Sequence, residues 1–184
     1  PQGIDPELDE LAFFPLLYWP VTFDSALFSE TARSNLNKYL RNGGTILFDA
    51  RSTEGDVNGR VLRQLARSLD IPPLVPVDSN HVLSRSFYLI DKFPGRWNNG
   101  SLWVELAGER INDGVSPVIV GGNDWAAAWA MDDAQRPIYP VVPGGERQRE
   151  MSYRFGVNLV MYTLTGNYKS DQVHVPEIMK RLGK

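Results

Sequence analysis

The sequence contains no cysteine among its 184 residues. This absence excludes disulfide bridges, a cysteine nucleophile and thiolate metal ligands. Long apolar runs are also absent: no stretch reaches the roughly 18 residues that a membrane-spanning helix requires. The sequence therefore predicts that this segment does not cross a bilayer.

Histidine and basic charge are scarce as well. His81 and His174 are the two histidines, and neither has further ligand-type residues at metal-binding spacing, so no metal site is predicted. The net charge is −3, from 19 basic and 22 acidic residues, which argues against a nucleic-acid partner. No phosphate-binding loop, dinucleotide fingerprint or serine-hydrolase elbow motif occurs, and no cofactor is predicted.

What is present suits a folded globule of about one domain, with 42% hydrophobic and 11% aromatic residues. Residues 1–12 are polar and acidic, and we expect a lead-in segment with little structure of its own. Residues 13–184 are predicted to form a single α/β domain. Because the chain starts at Pro1 and not at a methionine, we expect it to be a fragment of a longer protein.

Short apolar runs alternate with amphipathic stretches along the chain. Strands are predicted at Leu16–Trp19, Thr45–Asp49, Leu74–Val77, Ser101–Leu106 and Pro117–Gly122. Helices are predicted at about Ser29–Asn42, Asn58–Leu69, Ala126–Ala130, Arg149–Thr165 and, in the tail, Pro176–Leu182. The segment from His81 to Ile90 is interpreted as a helix or turn followed by extended chain.

The order strand, helix, glycine turn and strand predicts a parallel crossover, and thus an α/β fold with a mostly parallel sheet. We expect the strands Thr45–Asp49 and Pro117–Gly122 to lie side by side and parallel. The helix Arg149–Thr165 is apolar most of the way round, which predicts that it is substantially buried.

Ligands of open α/β sheets bind beyond the carboxyl ends of the strands. Two segments end there, one with Asp49 and Arg51 and the other with Asn123, Asp124 and Trp125 after two glycines. Asp124 has two interpretations: a helix N-cap, which we favour, or a nucleophile at a strand-to-helix elbow. Trp125 is either a core residue or a stacking surface for a ligand.

Arginines near the last helix offer a second candidate feature. Glu150 and Arg154 are four residues apart and can form a structural ion pair on the helix. Equally, Arg147, Arg149 and Arg154 can form a cluster for an anionic ligand. His81 is a further candidate, since the segment that it begins could lie over the edge of the sheet.

Five longer stretches carry a family resemblance: Phe13–Pro20, Tyr39–Asp49, Gly121–Trp129, Gly144–Asn158 and Thr165–Pro176. Together they resemble an uncharacterised bacterial domain-of-unknown-function family, family 4159. The resemblance implies the soluble C-terminal part of a larger membrane protein, whose other end resembles the BatA double-transmembrane region. It also implies a fold similar to class I glutamine amidotransferases and ThuA-like proteins, a flavodoxin-like three-layer sandwich.

The chemistry of that fold group does not carry over, because an amidotransferase needs a Cys-His-Glu triad. Asn123 and Asp124 stand where the nucleophile is expected, and fold alone supplies no function. We therefore favour a non-catalytic binding domain of a membrane-anchored protein, with a protein or the rest of its own chain as partner. The alternatives are a degenerate hydrolase that uses Asp49, Asp124 or His81, and a pure scaffold.

Overall fold

Strands and helices alternate in the computed structural model, which describes residues 2–22, 28–50, 57–106 and 114–166. The strands are β1 (Leu16–Pro20), β2 (Thr45–Asp49), β3 (Leu74–Pro76), β4 (Trp103–Glu105) and β5 (Val118–Gly121). The helices are α1 (Glu30–Arg41), α2 (Val57–Ser68), α3 (Trp125–Trp129) and α4 (Gly145–Thr165). Short 3-10 helices occupy Leu11–Phe13 and Val82–Ser84. The predicted tail helix Pro176–Leu182 lies outside the described residues.

The five strands form one mixed sheet in the order β1-β2-β5-β4-β3. β2 is parallel to both β1 and β5, which confirms the expected parallel neighbours Thr45–Asp49 and Pro117–Gly122. β4, however, is antiparallel to both β5 and β3, so the expected mostly parallel sheet is not confirmed. Parallel neighbours need a crossover connection, usually a helix, and the irregular chain between β3 and β4 provides none.

Alternate residues of the central strands face two separate apolar clusters, as the two-residue period of a strand requires. Ile46 and Phe48 of β2 pack with Leu36 and Leu40 of α1 on one face of the sheet. Leu47, between them, packs on the other face in a cluster that includes residues of α3 and α4. The α/β class is thus built from a sheet that is buried on both faces at β2.

Helix α1 confirms its sequence prediction in detail. The Ser29 hydroxyl accepts a hydrogen bond from the Ala32 N–H at 3.1 Å and so caps the first turn. The predicted apolar stripe, which includes Leu36 and Tyr39, is buried. Gly43, with φ of 94°, supplies the left-handed residue after the helix.

The segment predicted as a lead-in packs against α1. Leu11 is 4% exposed and belongs to the same apolar cluster as α1. The Asn35 side-chain amide donates to the Pro6 carbonyl at 3.0 Å, and the Tyr39 hydroxyl donates to the Phe14 carbonyl at 2.8 Å. These contacts attach the segment to the core.

Helix α4 differs from its prediction at one end and on one face. It begins at Gly145, one turn before the expected Arg149. Seven of its residues are buried, as expected of a substantially buried helix, but Val157, Val160 and Leu164 are exposed on one side of it. Periodicity counts apolar positions and cannot tell which of them a neighbouring element covers.

Irregular chain between β3 and β4 is held in place by buried amide side chains. The Asn158 Oδ1 accepts from the N–H groups of Phe87 and Tyr88, at 3.2 and 2.7 Å. Its Nδ2 donates to the carbonyls of Leu83 and Tyr88, at 2.7 and 2.9 Å. These four bonds replace the ladder that a regular strand or helix would give this part of the backbone.

Gln148 makes a similar set of bonds near the other end of α4. Its Nε2 donates to the carbonyls of Gly95, Arg96 and Val142, at 2.9, 3.1 and 2.9 Å. Its Oε1 accepts from the Gly144 N–H at 2.9 Å. The chain around Arg96 is therefore positioned by α4.

Candidate functional site

The carboxyl ends of β2 and β5 bring the two predicted site segments together. Ala50 donates its N–H to the Gly121 carbonyl at 2.7 Å, which joins the two strand ends directly. The Asp124 N–H donates to Asp49 Oδ1 at 3.1 Å. Asp49 and Asp124 thus lie at one edge of the sheet, as the strand order requires. Arg51, the next predicted member, lies outside the described residues.

Asp49 is a buried carboxylate that caps α3 from a different element. Besides the Asp124 amide, it accepts the Trp125 N–H at Oδ2, at 2.8 Å, and the Tyr18 hydroxyl at 2.6 Å. The same hydroxyl accepts the Ala126 N–H at 3.3 Å. Asp49 and Tyr18 therefore satisfy the first amides of α3, whose donors have no partner within the helix.

Asp124 occupies the N-cap position of α3, as the favoured interpretation expects, but it does not cap the helix with its side chain. It has a left-handed backbone, with φ of 53° and ψ of 58°, and its side chain makes no capping bond. A capping side chain needs the extended backbone conformation, which Asp124 lacks. Its carboxylate is 8% exposed and lies 3.7 Å from the Arg96 guanidinium.

Arg96 is the member of the site that the sequence did not single out. Its guanidinium carbon lies 4.9 Å from the centre of the Trp97 ring and 5.3 Å from that of Tyr139. Its Nε is buried and has no hydrogen-bond partner in the described part of the chain. Two aromatic rings thus hold this cation beside the Asp124 carboxylate, and its Nε is left without an acceptor among those residues. In the sequence, the adjacent residues Arg96 and Trp97 could have indicated a contact between cation and ring. The second ring, that of Tyr139, comes from a distant loop and could not have been found in this way.

Asn123 and Trp125 have structural partners. The Asn123 Nδ2 donates to the carbonyls of Phe93 and Gly100, and its Oδ1 accepts the Gly100 N–H at 2.9 Å. The Trp125 side chain is fully buried and donates its indole N–H to the Phe93 carbonyl at 3.0 Å. Both side chains therefore fix the loop that leads to Arg96.

The three arginines proposed as an anion cluster have separate environments. Arg149 is buried and donates to the carbonyls of Ala128 and Tyr139, each at 2.6 Å. Arg154 pairs with Glu150 on the surface of α4 at 2.5 Å, and Arg147 is exposed. The ion pair is the alternative that the structure supports, although an exposed pair of this kind contributes little to stability.

His81 lies near the amino-terminal end of β5, whereas Asp124 follows the carboxyl end of that strand. Its ring is 5.6 Å from that of Tyr162, whose hydroxyl accepts the Ser116 N–H just before β5 begins. Its Nδ1 accepts the Leu83 N–H at 3.2 Å. Burial lowers the pKa of His81, and burial also raises the pKa of Tyr162 to about 12. His81 and Asp124 therefore do not share a catalytic geometry.

A shallow cleft of about 280 Å³ lies beside the site, behind Asn123. Its wall includes Lys92, Phe93 and the turn at Asn98–Ser101. Within residues 2–22, 28–50, 57–106 and 114–166, no three His, Cys, Asp or Glu side chains are grouped as metal ligands. The arrangement is suited to binding through a cation, an aromatic pair and amides.

The comparison with known protein families decides the identity of the chain. A family model described as Domain of unknown function (DUF4159) matches residues 1–164. The chain belongs to this family. A search of curated proteins finds no significant match.

The DUF4159 match includes every strand and helix of the sheet region, from β1 to nearly the end of α4. Asp49, Arg96 and Asp124 all lie within it. No helix in the described part of this DUF4159 chain is long and apolar enough to cross a membrane.

Proposed function

We propose that this DUF4159 domain is a non-catalytic binding domain that recognises an anionic group of its partner at Arg96. The observation that carries the proposal is the guanidinium held between Trp97 and Tyr139 with its Nε unpartnered among the described residues. The Arg96 side chain is 29% exposed, so a ligand that carries an acceptor can approach its guanidinium. Carboxylates and phosphates are the groups that match the planar fork of arginine.

The environments of the other polar residues support a binding role over hydrolysis. Asp49 accepts three hydrogen bonds from Tyr18 and the start of α3, which occupy it as a structural cap. His81, another residue of the hydrolase alternative, lies near the amino-terminal end of β5 and away from Asp49. A hydrolase would need these groups within hydrogen-bond reach of one reacting atom.

The proposal also includes the layered fold of the domain and the larger protein to which the domain belongs. We infer a flavodoxin-like three-layer arrangement of residues 13–184 as one domain, which the apolar clusters on opposite faces of β2 support. The family resemblance supports a place as the soluble part of a larger membrane-anchored bacterial protein. The anionic group would then belong to another protein or to the rest of the same chain.

A fluorescence titration tests the anion site directly. Inorganic phosphate and acetate are added separately to the full chain, and tryptophan emission reports on Trp97, which lies against Arg96. We expect a saturable change in the wild type that Arg96→Gln abolishes. The matched control is Arg136→Gln, because Arg136 is exposed and already pairs with Asp132. An unchanged response in Arg96→Gln, or no saturable response to either anion, overturns the anion site.

A pull-down from cells that express the larger protein tests the partner. The wild type and Arg136→Gln should retain the same bound protein, while Arg96→Gln loses it and still shows the circular dichroism spectrum of a folded protein. If all three retain it equally, Arg96 does not contact the partner.

A further inference from the structure

The irregular chain that contacts the Arg96 guanidinium, residues 137–143, exposes apolar side chains. Ile138, Tyr139 and Val142 are 52%, 43% and 44% exposed. The Tyr139 ring lies against the guanidinium, and the Val142 N–H donates to the Arg96 carbonyl at 2.8 Å. We name as the Arg96 surface the side chains of Arg96, Trp97, Ile138, Tyr139 and Val142.

Hydrogen bonds from α4 hold residues 137–143 in a fixed position. Arg149 Nη2 donates to the Tyr139 carbonyl at 2.6 Å, and Gln148 Nε2 donates to the Val142 carbonyl at 2.9 Å. Three prolines among the seven residues restrict the backbone further, since proline fixes φ. Because an anchored backbone carries the exposed side chains, a ligand need not order this loop when it binds.

Charge restricts what the Arg96 surface can bind. Residues 137–145 contain no Asp, Glu, Lys or Arg, so this chain adds no charge to that of Arg96. The Asp124 carboxylate, 3.7 Å from the guanidinium, already balances part of the positive charge and repels further negative charge. A carboxylate carries one negative charge and phosphate nearly two at neutral pH, so a carboxylate suits this surface better.

A protein partner also fits the Arg96 surface better than an anionic membrane does. Membranes with anionic headgroups attract segments that carry several basic residues close together. Here the exposed acidic residues Asp133 and Glu146 stand before and after residues 137–143 in the sequence. Their charges disfavour contact with an anionic lipid surface.

The residue types of the Arg96 surface are typical of protein interfaces. Arginine, tryptophan and tyrosine are enriched among the residues that contribute most of the binding energy, and neighbouring contacts exclude water from them. Arg96, Trp97 and Tyr139 correspond to the first group, while Ile138 and Val142 can make the neighbouring contacts. A suitable ligand therefore combines one carboxylate with a large apolar side chain.

We propose that the Arg96 surface binds a peptide segment of a partner protein in which a glutamate or aspartate stands beside a large apolar residue. The carboxylate accepts hydrogen bonds from the Arg96 guanidinium, and the apolar side chain packs against Ile138 and Val142. This inference rests on the proposed anion site at Arg96 and adds the class of partner that the site recognises.

Three short peptides with blocked termini test the partner class on the unchanged full chain. The first has one glutamate followed by two leucines in a background of glycine and serine. The second replaces the leucines by serine, and the third replaces the glutamate by glutamine. Titrations followed by tryptophan emission give the dissociation constants. We expect the leucine peptide to bind at least about tenfold more tightly than either of the others, because burial of a leucine contributes that much affinity.

Variants of the two apolar positions locate the contact on the protein. Ile138→Ser and Val142→Ser keep Arg96 and both of its aromatic neighbours. Each should weaken binding of the leucine peptide about threefold or more and leave the dissociation constant of acetate unchanged. Leu8→Ser is the control, because Leu8 is 83% exposed on the N-terminal segment, and it should change neither value. Circular dichroism checks that the variants are folded.

The anion site and the peptide site fail in different ways. If acetate binds and Arg96→Gln abolishes this, but the leucine and serine peptides bind equally, the peptide proposal is overturned and the anion site stands. If neither acetate, phosphate nor any peptide binds, both are overturned. Tighter binding of a peptide with phosphoserine in place of the glutamate would overturn the carboxylate in favour of a phosphopeptide. Binding to phosphatidylserine vesicles without binding to the leucine peptide would overturn it in favour of a membrane.

Discussion

The carboxylate of Asp49, the last residue of β2, accepts the backbone N–H of Trp125 at 2.8 Å across 76 residues of sequence. One carboxylate thus joins the end of a central strand to the start of α3. Its other acceptor bonds, from the Asp124 amide and the Tyr18 hydroxyl, make it the point where three elements meet.

We expect Asp49→Ala to lower the free energy of unfolding by about 3 kcal/mol, because several buried donors lose their acceptor at once. Asp49→Asn keeps one acceptor oxygen and should lose less. Chemical denaturation followed by circular dichroism measures both. Asp70→Ala is the control, since Asp70 is exposed and pairs with Arg41. A loss for Asp49→Ala no larger than that of the control would contradict the capping role.

Asn158→Ala should release the irregular chain between β3 and β4. Four hydrogen bonds to Leu83, Phe87 and Tyr88 disappear, and we expect a loss of about 3 kcal/mol. Hydrogen exchange of the amides of Phe87 and Tyr88 should accelerate more than that of β2. Asn98→Ala, at an exposed turn, should leave both measurements unchanged. Equal exchange in the two variants would show that Asn158 does not hold this segment.

Gly121→Ala tests the close packing at the end of β5. An added Cβ would lie 2.2 Å from Cη2 of Trp125, a rigid and fully buried ring that has no room to move. We expect a loss of about 2 kcal/mol or more and a changed near-ultraviolet circular dichroism spectrum. Gly3→Ala is the matched control, because nothing lies within 4 Å of the added carbon. Full stability of Gly121→Ala would mean that Trp125 packs elsewhere.

Stability should depend on the protonation of His81. Burial lowers its pKa in the folded protein below the ordinary value of 6.5, against a smaller opposing effect of Asp78. The unfolded chain then binds the proton first, so stability is full above pH 6.5 and is lost as the pH falls toward the folded pKa. Denaturation midpoints measured from pH 8 to pH 5 check the sign.

The variant for this test is His81→Asn, which retains a side-chain acceptor for the Leu83 N–H but does not titrate. His174 is present in both proteins, so the difference between their pH profiles isolates His81. Identical profiles would show that His81 makes no contribution to acid sensitivity.

Ser152→Ala is expected to stabilise the protein. The Ser152 hydroxyl is fully buried and has no hydrogen-bond partner in the part of the chain described. Alanine removes this unsatisfied group and is a better helix former, so we expect a gain of up to about 1 kcal/mol. Ser84→Ala is the contrast, because that hydroxyl donates to the Asp78 carbonyl at 3.0 Å and its removal should destabilise. A drop in melting temperature for Ser152→Ala would indicate a bond to this hydroxyl.

Local patterns in the sequence determined the elements whose cause is local. The Ser29 cap, the stripe of α1 and the apolar run of β2 were predicted because each depends on residues within a turn or a strand. The meeting of Asp49 and Asp124 at one edge was also predictable, since parallel strands place their carboxyl ends together.

The tertiary structure decided the features that were not predicted, because contacts between distant segments produce no periodic pattern in the sequence. β4 is antiparallel to β5, since no crossover helix connects β3 to β4. The side chain that caps α3 belongs to Asp49, which is 75 residues from Asp124. Tyr139, from another loop, supplies the second ring that contacts the Arg96 guanidinium. Helix α4 packs on the core with one face, so its other side is exposed. The residue type determines which groups a side chain can bond to, and the fold determines which of those groups lie within reach.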